Sequence, residues 1–155
     1  MVETTTKNIQ KKIAIIYADF NEEITSVMFD TAVKHAKRNG LIVEKVIKVP
    51  GCYDIPYAVK KVLENNNNNN NNKNNNEQKR IEGIVALGAV IQGDTYHDII
   101  VAEECARKCS DLSVEYIIPI ALGVIGPRAS WDQAFARKEE FAVRAVDAVK
   151  LLMDI

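Results

Sequence analysis

The chain of 155 residues has the length of one ordinary domain, enough to bury a core without disulfides or metal. Its 47% hydrophobic and 26% charged residues are those of a soluble globular protein, and 20 basic against 21 acidic side chains leave a formal charge of -1. That balance excludes the strongly basic surface expected of a partner of nucleic acid or of an anionic membrane.

The first twelve residues, MVETTTKNIQKK, lack the apolar segment of a secretion signal, and 1–10 read as a flexible tail. No apolar run approaches the ~18 residues that span a bilayer, so a cytoplasmic location is expected. The run KKIAIIYA, 11–18, is β-branched and apolar after its lysines and predicts a strand buried on both faces. Asp19-Phe20-Asn21 ends it. The following segment to Gly40 places Ile24, Val27, Met28, Thr31 and Ala32 on one side and its charges elsewhere, an amphipathic helix closed by Asn39-Gly40. LIVEKVIKVP, 41–50, is a strand pattern with the charge of an edge strand, and GCYDIP leads into a helix over about 55–64 with Pro56 in its first turn.

Residues 65–76 are eleven asparagines and one lysine. Such a tract offers no apolar surface to offset the entropy of ordering it, and 65–78 is expected to be a disordered loop insert in a single domain spanning 1–155. A buried strand over 81–91, a helix over 97–112, a strand over 114–121, a loop over GVIGPRAS and helical segments over about 130–153 follow. In the last of these Phe141, Ala145, Val149 and Leu152 form a stripe at helical spacing.

Strands alternating with helices predict an α/β three-layer sandwich around a four-stranded parallel sheet. Ligands of such sheets bind beyond the carboxyl ends of the strands, near a switch in strand order. The candidate site therefore draws on Asp19-Phe20-Asn21, on Cys52-Tyr53-Asp54, on Gly93 to His97 and on the Leu122 to Ser130 segment. His97 opens a helix and is either a proton carrier at cellular pH or a capping, solvent-facing residue. Phe20 could stack on a planar ligand or plug the end of the core. Arg137 could grip a phosphate or simply be solvated, and Asp54 reads more readily as a helix cap than as a catalytic carboxylate. His35 sits beside the apolar stripe of its helix and reads as structural. Cys52, Cys105 and Cys109 show no zinc-ligand spacing and read as reduced, buried thiols. Neither a G-x-G-x-x-G nor a P-loop fingerprint is present, which disfavours dinucleotides and ATP.

Four stretches, YADFNEEIT (17–25), VPGCYDIPYAVKKVLE (49–64), ALGAVIQGDTYHDIIVAEECARK (86–108) and PIALGVIGP with QAFAR (119–127 and 133–137), resemble the lumazine synthase family, in the form found in archaea. The pairing of a PG-x-[FY]-[DE]-IP loop with a LG-x-VI-x-G-x-T-x-H loop is highly specific. The resemblance implies a flavodoxin-like fold and a condensation of 5-amino-6-(D-ribitylamino)uracil with 3,4-dihydroxy-2-butanone 4-phosphate, without metal or cofactor. Carried over by motif, Phe20 stacks on the pyrimidine, and Cys52, Tyr53, Asp54, Ala89, Val90 and Ile91 hold the ring and the ribityl chain. Asp94 and Thr95 line the butanone phosphate pocket, His97 is the general acid/base, Leu122 packs near the ligand across a subunit boundary, and Arg137 takes the phosphate.

The family assembles as pentamers, packed in some members into a shell of sixty, and riboflavin synthase is a candidate partner. Leu122 departs from the aromatic residue common at its position, and Arg144 is a candidate replacement for a bacterial lysine. Asp147, at the third position after Arg144, is expected to orient Arg137. The competing readings are an archaeal-type riboflavin synthase and a non-catalytic flavin- or lumazine-binding shell protein. The histidine of GDTYH disfavours the first, and Phe20, His97 and Arg137 together disfavour the second.

Overall fold

A computed structural model of the chain describes residues 9–71 and 80–155. Four strands, β1 (Lys12–Ala18), β2 (Ile42–Val49), β3 (Gly83–Ile91) and β4 (Ile120–Ala129), form one sheet in the order β2-β1-β3-β4, with every neighbouring pair parallel. Parallel strands need crossovers, and the helices α1 (Glu22–Arg38), α2 (Ile55–Asn71), α3 (His97–Tyr116) and α4 (Trp131–Met153) supply and flank them. The result is a three-layer, flavodoxin-like sandwich. Among the described residues no helix is long and apolar enough to cross a membrane.

Alternation along the strands sorts the core into two layers. Ile13 and Ile15 of β1 join Val85 and Leu87 of β3 beneath α1 and α4. Ala14 and Ile16 join Ile84 and Ala86 beneath α2 and α3. Each fully buried isoleucine, valine or leucine contributes about 1.5–3 kcal/mol, so β1 and β3, covered on both faces, anchor the sheet. β2 lies at an edge, and its Glu44, Lys45 and Lys48 are exposed.

α1 begins at Asn21, carries Glu22 and Glu23 in its first turn and His35, Lys37 and Arg38 in its last, charges that suit the helix dipole at each end. In α4 the buried stripe is Ala134, Ala142, Ala145, Val146 and Val149, while Leu152, expected within it, is exposed.

Three boundaries differ from expectation. Residues 65–71, expected in a disordered loop, prolong α2 through Asn71; the rest of that expected insert, 72–78, lies outside the described residues, as does most of the expected N-terminal tail. A local anchor explains the extension: the Asn66 side chain is 4% exposed, donates to the Ile81 carbonyl at 2.8 Å and accepts the Ile81 N–H at 3.0 Å. Asparagine costs a helix about 0.7 kcal/mol per residue, and the two buried hydrogen bonds offset that cost for the first residues past Glu64.

Of the strand expected over 114–121, residues 114–116 are the last turn of α3, capped by left-handed Ile117 with φ 54°, and only 120–121 are strand, the start of β4. Leu112 and Tyr116 pack on the core, and the Tyr116 hydroxyl donates to Glu64 of α2, so tertiary contact overrides the β-branched composition of SVEYII. The loop expected over GVIGPRAS is strand. β3 runs on to Ile91 and offers ladder partners to Val124, Ile125 and Ala129, with an irregularity that accommodates Gly126-Pro127-Arg128 on this edge strand.

Candidate active site

Strand order reverses between β1 and β3, the place where a parallel sheet opens a crevice at its carboxyl edge. A cavity of about 600 Å³ lies there. The wall is mostly apolar: Phe20 from the β1–α1 turn, Cys52 and Tyr53 from the turn after β2, and Ala89, Val90 and Ile91 from the end of β3. His97 and Asp98, the first two residues of α3, close one side.

The turn carrying Phe20 is clamped at both ends. Asp19 and Phe20 donate their N–H groups to the carbonyls of Val49 and Pro50 at 2.8 and 3.0 Å, continuing the ladder past β1. Asn21 adopts a left-handed conformation, φ 66°, which asparagine tolerates, and its side chain donates to the Ala89 carbonyl at 2.9 Å. The ring of Phe20 is left 73% exposed over the cavity, an arrangement that suits stacking and not plugging of the core.

Residues 51–54 form a short 3-10 turn in which Asp54 accepts the Gly51 N–H at 3.0 Å. Asp54 is thus occupied as a cap. Cys52 points inward, and burial pushes its thiol up to about 12, so it fills space as a neutral group at physiological pH. Gly88 of β3 makes this approach possible, because a Cβ there would lie 2.3 Å from the Cys52 sulfur.

Around the start of α3, Asp94, Thr95 and His97 are exposed, and the Thr95 hydroxyl accepts the His97 N–H at 3.3 Å. Asp98 is the exception, 3% exposed, with one carboxylate oxygen accepting the Arg128 N–H at 2.9 Å. Arg128, φ 61°, extends its guanidinium over the ring of Tyr96 at 5.7 Å. Asp98 escaped the sequence reading, and Asn21 entered it only as part of the turn after β1, without its bond to Ala89. A left-handed asparagine after a strand and a carboxylate in a helix's first turn are common local devices, and only their tertiary partners distinguish them.

The cavity of one chain therefore gathers Phe20, Cys52, Tyr53, Asp54, Ala89, Val90, Ile91 and His97 of the expected set, while Asp94 and Thr95 flank it on the α3 approach and do not line it. Leu122 and Arg137 do not join them. Leu122 belongs to β4, not to a loop after it, and borders a separate hollow of about 240 Å³ with Phe141 and Arg144. Arg137, on α4, is exposed and only loosely paired with Glu140 at 3.9 Å. The expected tie from Asp147 to Arg137 is replaced by another: Asp147 Oδ1 lies 2.6 Å from His35 Nε2, joining α4 to α1. Among the described residues no three histidine, cysteine, aspartate or glutamate side chains gather as metal ligands would.

Residues 10–154 match the family model described as 6,7-dimethyl-8-ribityllumazine synthase. Proteins bearing that name from Saccharolobus islandicus and Sulfolobus acidocaldarius are each 45% identical to the chain, over 91% and 90% of its length and 84% and 81% of their own. One from Staphylothermus marinus is 43% identical over 92% of this chain and 87% of its own.

Proposed function

The chain belongs to the 6,7-dimethyl-8-ribityllumazine synthase family, and from that premise we infer what the cavity does. The protein is a transferase of riboflavin biosynthesis. It condenses 5-amino-6-(D-ribitylamino)uracil with 3,4-dihydroxy-2-butanone 4-phosphate to 6,7-dimethyl-8-ribityllumazine, with release of phosphate and water. The observation that carries the reading of the site is the meeting of Phe20, the 51–54 turn, the 89–91 strand end and His97 around one cavity at the switch point.

The pyrimidine ring stacks on Phe20, and the neighbouring apolar strand end and 51–54 turn hold the ring and its ribityl chain. The butanone phosphate takes its place beside Asp94 and Thr95, where the N-terminus of α3 favours an anion. Imine formation, loss of phosphate, ring closure and loss of water all need proton transfers between groups held close together. His97 at the cavity wall is the group that gives and takes those protons. Cys52, kept neutral by burial, takes no part as a nucleophile.

Arg137 holds the phosphate, and Leu122 packs against the ligand, from a neighbouring copy of the chain. Their position outside the cavity of their own chain supports this arrangement, as does the exposed, weakly paired Arg137 guanidinium. The assembly is a pentamer or a shell built from pentamers, located in the cytoplasm, with riboflavin synthase as the enzyme that takes up the product.

The test is to mix purified protein with both substrates and follow lumazine absorbance and released phosphate. No product above the uncatalysed background would refute the reading. His97→Ala should slow turnover by about 10²-fold and no more, because proximity supplies much of the acceleration. Complete loss of activity in that variant would count against this division of labour.

A further inference from the structure

Asp98 stands apart from the acidic side chains around it. It is the one charged side chain among the described residues that is buried, at 3% exposure, and it belongs to the cavity wall next to His97. Its Oδ2 accepts the Arg128 N–H at 2.9 Å. Its Oδ1 is buried and has no hydrogen-bond partner among the described residues. A buried carboxylate oxygen left without a donor is costly, and a site that keeps one invites a ligand's N–H or O–H. The bonded oxygen secures the carboxylate in place: it ties the first turn of α3 to the left-handed Arg128 at the end of β4, so the free oxygen cannot swing away to solvent.

We propose that Asp98 is a substrate-contacting specificity residue, whose free carboxylate oxygen accepts a hydrogen bond from the 5-amino group of the ribitylaminouracil. This rests on the reading of the cavity given above. The choice between the two substrates follows from their hydrogen-bond donors. The pyrimidine carries several N–H donors that an acceptor oxygen can pair with, whereas the phosphate of the ketone offers a carboxylate only acceptor oxygens. The choice among those donors follows from position. Asp98 directly follows His97, the proton carrier, and so stands at the reacting edge of the ring where the 5-amino group is held. An acceptor there orients the amine's lone pair toward the ketone carbonyl.

The experiment is a calorimetric titration, under anaerobic conditions, of the parent protein and of Asp98→Asn with three ligands. These are the 5-amino-6-ribitylaminouracil, the same compound without its 5-amino group, and the butanone phosphate. Asparagine keeps the shape and the acceptor for Arg128 but presents an NH₂ where the free oxygen stood. Binding of the aminopyrimidine should weaken about tenfold, as expected for one hydrogen bond to a charged acceptor, while the other two ligands bind as before. Removing the 5-amino group should weaken binding to the parent and not to Asp98→Asn. Unchanged aminopyrimidine affinity in Asp98→Asn, or an equal loss for all three ligands, overturns the proposal. Should Asp98→Asn fail to fold, the parent's own comparison decides, since equal affinity with and without the 5-amino group overturns it. Turnover by the parent tests the underlying reading separately: a parent that forms lumazine while Asp98→Asn binds normally retains the activity and loses only this role for Asp98.

Discussion

At the amino ends of the strands polar groups answer one another, whereas at the carboxyl ends they face outward or wait. Near the amino ends Glu82 accepts the Lys12 N–H at 2.8 Å, Lys11 pairs with Asp154 at 2.9 Å, and Asn66 closes on both polar groups of Ile81. Near the carboxyl ends Phe20 and Tyr53 are 73% and 61% exposed, Asn21 and Arg128 are left-handed, and Asp98 keeps one oxygen unbonded. Ile117, a β-branched residue at φ 54°, is left-handed at the other end, where it caps α3. On the proposed reading of the cavity, the contrast separates residues whose partners lie in the chain from residues whose partners arrive with substrate. Unsatisfied and outward-facing groups gathered at one edge are the physical mark of a site.

Three substitutions probe this contrast. The largest effect should come from Gly126→Ala, at the carboxyl end. Gly126 has φ 110°, and a Cβ there would lie 2.5 Å from the Val90 carbonyl oxygen. The substitution should cost about 3 kcal/mol through backbone strain and overpacking, read as a lower urea midpoint. An unchanged midpoint would show that the β3–β4 frame yields freely and that the carboxyl edge is not rigidly built. Asn66→Ala, at the opposite end, should cost about 2 kcal/mol by orphaning the Ile81 N–H and carbonyl. Turnover of the folded enzyme should stay at the parent value, and a fall in kcat would break the division between the two ends. Phe20→Ala should do the reverse, raising the KM for the pyrimidine about tenfold while changing stability by no more than about 0.5 kcal/mol. A stability loss as large as that of a core aromatic would mean that Phe20 plugs the core after all.

The carboxyl-edge loops could be named in advance because they rest on local signals. Short β-branched runs broken by Asp19-Phe20-Asn21 and by the 51–54 turn mark strand ends, and an alternating pattern of strands and helices brings those ends to one edge. The tract after Glu64 and the segment 114–130 misled for the same reason in opposite directions. Asparagines without apolar surface suggested no order, yet Asn66 finds two buried partners fifteen residues away. The SVEYII segment has the composition of a strand, yet Tyr116 and Leu112 hold it in α3 by contacts with α2 and the core. Gly126-Pro127 suggested a loop, yet β3 extends far enough to pair with the residues on either side.

Read alone, the order of apolar runs and breaks determined the layered parallel fold and the edge where ligand must sit, because periodicity and turn chemistry act over a few residues. Tertiary structure alone decided how the pieces are joined there. It made Asn21 a clamp on Ala89, bonded Asp147 to His35 in place of Arg137, set Leu122 and Arg137 away from their own chain's cavity, and left Asp98 buried with one oxygen unbonded. These are pairings between groups distant in sequence, whose energies depend on burial and on the partner at hand and leave no trace in local composition.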